Sequence, residues 1–216
     1  MNFRSRTLPA FALAAILAGC SGKGELVINE GVGISAVLSS CPTVGIPDYT
    51  GDVTLFRSEG DRTAANLDMV ASITHLRAAC NEGADRVYSN ATFDVQARRM
   101  DTRGARQVTL PYFATVMRGG TAVVSKRLGT VTLNFADGQE RAQASAQAGA
   151  YVDRSEATLP ADIRERITRK RKAGDPDAAL DPLADPQVRS AIQRVSFELL
   201  VGFQLTETQL AYNATR

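Results

Sequence analysis

The 216-residue chain has no tryptophan, a single histidine (His75) and only three cysteines. These absences leave little material for a metal centre or for histidine-dependent catalysis. The chain also contains no Walker loop, GxSxG, HExxH or EF-hand pattern. With 44% apolar and 22% charged residues, the composition is that of a globular protein. We therefore expect neither an enzyme nor a metal site.

The charge of the chain is small overall but unevenly distributed. The formal net charge is +2. Setting aside residues 1–19, which carry Arg4 and Arg6 and no acid, leaves 23 bases against 23 acids. Residues 86–172 hold 16 of these bases and 8 acids, whereas residues 20–85 and 173–216 are acidic. The chain after residue 19 therefore has a basic middle section between acidic flanks.

The N-terminus has the layout of an export signal. A basic head, Met1–Thr7, is followed by the apolar stretch Ala10–Ala18. Nine apolar residues are too few for a helix that spans a bilayer, which takes roughly 20, but they suit a secretory signal. The stretch ends in Leu17-Ala18-Gly19-Cys20, which resembles the lipobox of bacterial lipoproteins. The alternative is a chance cysteine behind an ordinary signal peptide.

The lipoprotein resemblance implies that residues 1–19 are removed and that Cys20 carries a covalent diacylglycerol and an N-acyl lipid. Two or three acyl chains give stable membrane anchoring. Ser21 stands where inner-membrane retention often uses aspartate, so the implied location is the periplasmic face of the outer membrane. In a single-membrane bacterium it would be the cell surface. The layout resembles many small Gram-negative envelope lipoproteins, which implies no particular activity and no further cofactor.

Cys41 and Cys80 remain once Cys20 is lipidated. Because the periplasm is oxidising, we predict that they form a disulfide. Two free buried thiols are the alternative. Neither cysteine belongs to a CxxC motif or has a histidine nearby, so zinc binding is not expected.

Residues 48–153 alternate between apolar and polar side chains, which predicts β-strands with one buried face. Turn signals punctuate the strands at Asp101–Gly104, Arg118–Thr121 and Asp137-Gly138. About seven strands with short turns favour an antiparallel β-sandwich. It resembles immunoglobulin-like or fibronectin type III domains in strand count only. Residues 20–47 are predicted to form a flexible lead-in to this domain.

Residues 154–216 are predicted to form a helical extension that packs on the sandwich. Ile163 and Ile167 indicate a first, short helix. Asp185-Pro186 is typical of a helix start, and the apolar spacing that follows predicts a helix as far as Gly202. Thr206–Gln209 matches a capping box for a last helix. The fold class is thus mainly β, with two or three C-terminal helices.

A basic cluster lies in the extension. Its six members are Arg164, Arg166, Arg169, Lys170, Arg171 and Lys172. We interpret them as a patch that binds an anionic envelope component: phospholipid, acidic polymer or the acidic surface of another protein. Nucleic acid is not expected because the protein is exported. Two alternatives stay open: a solvated helix end, and neutralisation by the acids at 175, 177, 181 and 185 of the same chain.

The sequence therefore predicts a lipid-anchored, non-enzymatic periplasmic protein that binds or scaffolds another envelope component. One alternative is a carrier of an apolar ligand such as a lipid. An empty apolar cavity in the structure would favour this alternative. Another is an enzyme, which would require His75 to be exposed in a cleft beside an acid. In Leu67–His75, His75 falls on the same side of the predicted strand as the apolar residues. This position favours a histidine in the core or at a sheet edge whose hydrogen bonds are satisfied.

Overall fold

A computed structural model of the chain describes residues 38–58, 60–172 and 174–215. The strands are β1 (Thr43–Gly45), β2 (Asp52–Phe56), β3 (Leu67–Glu82), β4 (Arg86–Arg99), β5 (Arg106–Arg118), β6 (Ala122–Phe135), β7 (Arg141–Asp153) and β8 (Phe197–Phe203). The helices are α1 (Ala161–Thr168), α2 (Pro186–Val195) and α3 (Glu207–Thr215), with short 3-10 turns at Ala64–Asn66 and Pro182–Ala184.

Two four-stranded sheets face each other as a β-sandwich, which confirms the predicted fold class. One sheet has the order β2-β3-β4-β7 and the other the order β1-β8-β5-β6. The pairs are antiparallel except that β1 runs parallel to β8. Only six of the described strands lie in the segment predicted to hold about seven. The other two, β1 and β8, come from the lead-in and from the C-terminal extension.

The alternating pattern places one face of each long strand in the core. In β4, Phe93, Val95 and Ala97 are buried, whereas Asp94 and Gln96 face away from the core. In β7, alternate alanines point inward in the same way, and Ala142 and Ala148 are buried. Small side chains on this edge strand let the two sheets approach closely at that side.

A tyrosine joins the two sheets beside β7. The Tyr112 hydroxyl on β5 donates a hydrogen bond of 2.9 Å to the carbonyl oxygen of Gln147 on β7. Its ring crosses β6 at Gly129, where a Cβ atom would lie 2.5 Å from the ring. Only glycine leaves room for this crossing, because any larger residue would displace the tyrosine.

The predicted helix from Pro186 to Gly202 is wrong in its second half. The helix α2 begins as predicted, with Asp185 accepting hydrogen bonds from the backbone of Gln187 and Val188, but it ends at Val195. Phe197–Phe203 is instead the strand β8, a buried central strand between β1 and β5. A mostly apolar run of seven residues fits a buried strand as well as the face of a helix. Which of the two forms depends on whether neighbouring strands are available to pair with it.

The helices pack in two different places. Ile163 and Ile167 of α1 pack with Val188 and Ala191 of α2 in a small cluster separate from the sandwich core. The apolar face of α2 thus meets α1, while the helix itself lies beside β5 of the sandwich.

The last helix, α3, does pack on the sandwich. Its reciprocal capping box is formed as predicted, with hydrogen bonds between Thr206 and Gln209 in both directions. Asn213 is buried, and its side-chain amide donates hydrogen bonds of 2.8 Å to the carbonyl oxygens of Tyr49 and Asp52.

Candidate functional site

The lipobox and Cys20 lie outside the described residues, so the anchor remains a sequence-based prediction. The described chain begins at Leu38, beside the point where the lead-in is tied to the sandwich. Seventeen residues lie between Cys20 and Leu38. That length of chain reaches at most about 60 Å when fully extended. The predicted lipid would therefore hold the sandwich within that distance of a membrane surface.

The predicted disulfide is present between Cys41 and Cys80. The two Cα atoms are 6.1 Å apart, which is within the range that a disulfide can bridge. Cys80 lies in the second half of β3, beyond Ser72, where pairing with β2 ends. The disulfide thus fastens the lead-in to the part of β3 that β2 does not cover.

The basic cluster is largely engaged by acids of the same chain. The helix α1 ends at Thr168, so the cluster continues into the following loop. Arg166 and Arg169 each form an ion pair of 2.6 Å, with Asp185 and Asp177 respectively. Arg171 is 5% exposed and donates hydrogen bonds of 3.3 Å to Asp177 and to the carbonyl oxygen of Arg166. Of the two alternatives, this geometry favours internal neutralisation.

The acids of these pairs are held in their ionised form. Backbone hydrogen bonds from Gln187 and Val188 at the start of α2, followed by the contact with Arg166, lower the pKa of Asp185. At Asp177 desolvation acts to raise the pKa, but hydrogen bonds and charge from Arg171 and Arg169 outweigh it and lower the pKa. Both carboxylates therefore stay charged at neutral pH and keep their arginines occupied.

The groove beside these pairs does not suit an anion. Its volume is about 660 Å³. Three guanidinium groups and five carboxylates line it, and the carboxylates belong to Asp162, Glu165, Asp177, Asp181 and Asp185. An excess of negative charge repels a phosphate or carboxylate ligand. Of the predicted anion-binding residues, Arg164, Lys170 and Lys172 are exposed and lie outside this groove, and Arg164 lines a different one.

We expect the two lysines to account for most of any anion binding by the cluster. Soluble protein without the lipid would be mixed with vesicles of anionic phospholipid at low salt. Changing Lys170 and Lys172 together to serine should weaken binding about thirtyfold, since each base near such a surface contributes roughly 1 kcal/mol. Changing Arg169 to serine should have little effect because Asp177 already neutralises it. Equal binding by the double variant and the wild type would mean that the cluster is a solvated segment that does not bind anions.

Arg164 is separated from the rest of the cluster. It lines a different groove, of about 490 Å³, together with Arg154, Glu82 and the start of the described lead-in at Leu38. One of its nitrogens donates to the carbonyl oxygen of Leu159 at 3.2 Å. The six residues therefore do not form one surface.

His75 lies beside an acid but in an arrangement that does not activate a nucleophile. Its side chain is 59% exposed, and it lies at a bulge in β3 with a φ of 52°. The regular alternation of apolar and polar side chains in this strand stops there. Its Nδ1 lies 3.1 Å from one oxygen of Asp94, and the Ser145 hydroxyl donates to the other oxygen at 2.6 Å. The carboxylate thus stands between serine and histidine, whereas a catalytic triad needs the imidazole in the middle.

The same contacts explain the electrostatics of Asp94. The hydrogen bond from Ser145 is the largest cause that lowers its pKa, and the contact with His75 adds to it. The three side chains lie on the polar outer face of the β2-β3-β4-β7 sheet. We interpret them as a cross-strand polar network.

Other functional classes find little support in the described residues. The space between the sheets is filled by the packed side chains of the main core, which speaks against a carrier with a cavity there. Among residues 38–215, apart from the two gaps, no group of three or more His, Cys, Asp or Glu is placed to hold a metal ion. No helix of the described chain is long and apolar enough to cross a membrane.

Comparison with protein families, curated proteins and solved structures finds no match for this chain. Its candidate sites are therefore argued from their own residues.

Sequence reasoning missed an exposed strand edge. Ala122–Leu128, the first half of β6, is exposed at every position, and we call this segment the open edge. Val123, Val124 and Leu128 are 63%, 54% and 66% exposed. The signal was available in the sequence, because Val123-Val124 breaks the alternation that a half-buried strand shows. It was not interpretable without knowing that β6 lies at the edge of its sheet.

Proposed function

We propose that this protein is a lipid-anchored, non-enzymatic envelope protein that binds or scaffolds another envelope component from the periplasmic face of the outer membrane. The observation that carries the proposal is the Leu17-Ala18-Gly19-Cys20 ending behind a short export signal. The filled sandwich and the inert order of His75, Asp94 and Ser145 support a binding role over catalysis.

The disulfide is consistent with this proposal. A disulfide persists in an oxidising compartment such as the periplasm and is rare in the cytosol. It also ties the start of the described chain to β3. A force on the chain from an anchor at Cys20 would therefore be transmitted to β3 through this disulfide.

Replacing Cys20 with serine tests the anchor. Lipidation requires the thiol, so the variant should lose the acyl mass increment and accumulate as a precursor that retains residues 1–19. Mass spectrometry of the envelope fraction measures both changes, and replacement of Cys41 and Cys80 by serine is the control, because it leaves lipidation intact. Cleavage of the Cys20→Ser variant after Gly19, with unchanged membrane association, would contradict the proposal.

A further inference from the structure

The open edge presents unpaired backbone groups together with apolar side chains. Among the described residues, β6 pairs with β5 on one side, and no strand pairs with its other side. Exposed edges of this kind accept an added strand, through main-chain hydrogen bonds and side-chain contacts. In the second half of the same strand, Val131, Leu133 and Phe135 are buried in the core. At Gly129 the Tyr112 side chain also crosses β6 to reach Gln147 of β7. The first half, whose side chains are all exposed, is clear of both the core and this crossing.

The edge strand of the other sheet differs in character. The solvent-facing positions of β7 include Gln143, Ser145 and Gln147. Its one large exposed apolar side chain is Tyr151. The open edge combines three large apolar side chains that are more than half exposed with two cations, Lys126 and Arg127. Charged side chains on a sheet edge discourage the addition of unmatched strands. The open edge therefore favours an added strand of complementary charge.

The charge of the open edge defines what can pair with it. Its two ionisable residues, Lys126 and Arg127, are both cations, and β6 contains no acid. Neither forms an ion pair with a carboxylate of the described residues. The Lys126 ammonium lies 4.9 Å from the centre of the Phe113 ring on its own sheet. This contact leaves the backbone edge of β6 uncovered, and the flexible lysine side chain can turn from the ring to a carboxylate of an added strand.

A second copy of this chain is a poor occupant for the open edge. Two β6 strands side by side would bring four cations together with no acid from either strand, and like charges on neighbouring strands are destabilising. Consecutive residues of a strand point to opposite faces, so Lys126 and Arg127 need carboxylates on both faces of the added strand.

We infer that the open edge of β6 binds an extended segment of another envelope protein, in which consecutive acidic residues are flanked by apolar ones. The segment adds as a fifth strand to the β1-β8-β5-β6 sheet. Its apolar side chains cover Val124 and Leu128, and its carboxylates pair with Lys126 and Arg127. This inference rests on the proposed function, because it names the binding surface and the chemistry of the partner.

Photo-cross-linking in living cells tests the inference on the full lipidated protein. A photoreactive phenylalanine derivative would replace Val124, with Leu180 as the matched control, since it is 63% exposed but lies far along the chain from β6. A third protein would carry the same group at Tyr151, on the opposite sheet. We expect a cross-link at position 124 to another envelope protein, at a peptide with consecutive acidic residues.

Charge reversal separates specific pairing from chance proximity. Changing Lys126 and Arg127 together to glutamate should lower the yield of that cross-link about tenfold, because two attractive cross-strand pairs become repulsive. Changing the exposed Arg77 and Arg189 to glutamate is the matched control and should leave the yield unchanged. Each variant must keep the wild-type urea midpoint, which shows that it folds.

Three outcomes would overturn the inference: a cross-link at position 124 to a second copy of this chain, a yield that charge reversal does not change, or a peptide without acidic residues. Cross-links at Tyr151 alone would also overturn it, but would leave the proposed binding function standing. Cleavage of the Cys20→Ser variant after Gly19, with unchanged membrane association, would instead refute the anchor without touching the open edge.

Discussion

Replacing Arg99 with methionine is expected to lower the free energy of unfolding by about 3–5 kcal/mol, because each buried acceptor that loses its donor costs roughly 1–3 kcal/mol. Arg99 is 1% exposed at the end of β4, on the inward face. Its guanidinium donates hydrogen bonds of 2.8–2.9 Å to the carbonyl oxygens of Thr102, Gly104, Ala136 and Gln139. Methionine fills similar space but leaves these four acceptors without their donor.

The neighbouring Arg98 provides a matched control. It lies on the opposite face of β4, half exposed, and pairs with Glu140. An exposed ion pair of this kind contributes about 0–1 kcal/mol, so Arg98→Met should change the urea midpoint only slightly. Equal losses of stability in the two variants would show that Arg99 does not hold the loops at 102–104 and 136–139 together.

Replacing Cys41 and Cys80 together with serine is expected to destabilise the protein by about 4 kcal/mol, the chain-entropy cost of freeing a loop of this length. The two cysteines are 39 residues apart. Beyond Ser72, β3 pairs only with β4, and β1 is held to β8 by three residues. Without the disulfide, the lead-in and β1 should therefore exchange their amide hydrogens faster than the rest of the sandwich.

Urea unfolding of the double variant, with and without reductant, measures this effect. Reductant should bring the wild type to the stability of the double variant and should not change the variant itself. Hydrogen exchange followed by mass spectrometry locates the loosened segment. An unchanged midpoint in the double variant would mean that the disulfide contributes no net stability.

Local features of the chain were predictable because their causes are local. The alternation in β4 and β7 follows from the two-residue period of a strand, whatever lies across it. Asp185 and Pro186 start α2 by satisfying backbone groups within one turn, and Thr206 with Gln209 does the same for α3. The turns at Gly104 and Gly138 have the positive φ that glycine adopts most readily.

The candidate sites were predictable only where one residue type sufficed. With Cys20 set aside as the predicted lipidation site, two cysteines allow a single pairing, and the Cys41–Cys80 disulfide is present. The basic cluster was predicted as one patch because its six residues are close in sequence. Closeness in sequence does not tell which acid of the folded chain reaches which base. The fold brings Asp177 and Asp185 to Arg169 and Arg166, and it places Arg164 in another groove.

The sequence by itself determined the strand periods, the helix starts and the cysteine pair, and it predicts an export signal with a lipobox. Only the tertiary structure decided that Phe197–Phe203 is a strand, because the run gains its hydrogen bonds from β1 and β5, far away in sequence. It likewise decided that Arg99 is buried, since its four acceptors lie on two separate loops. The open edge of β6 exists because no described strand pairs beyond it, and pairing between distant segments is not written in either segment alone.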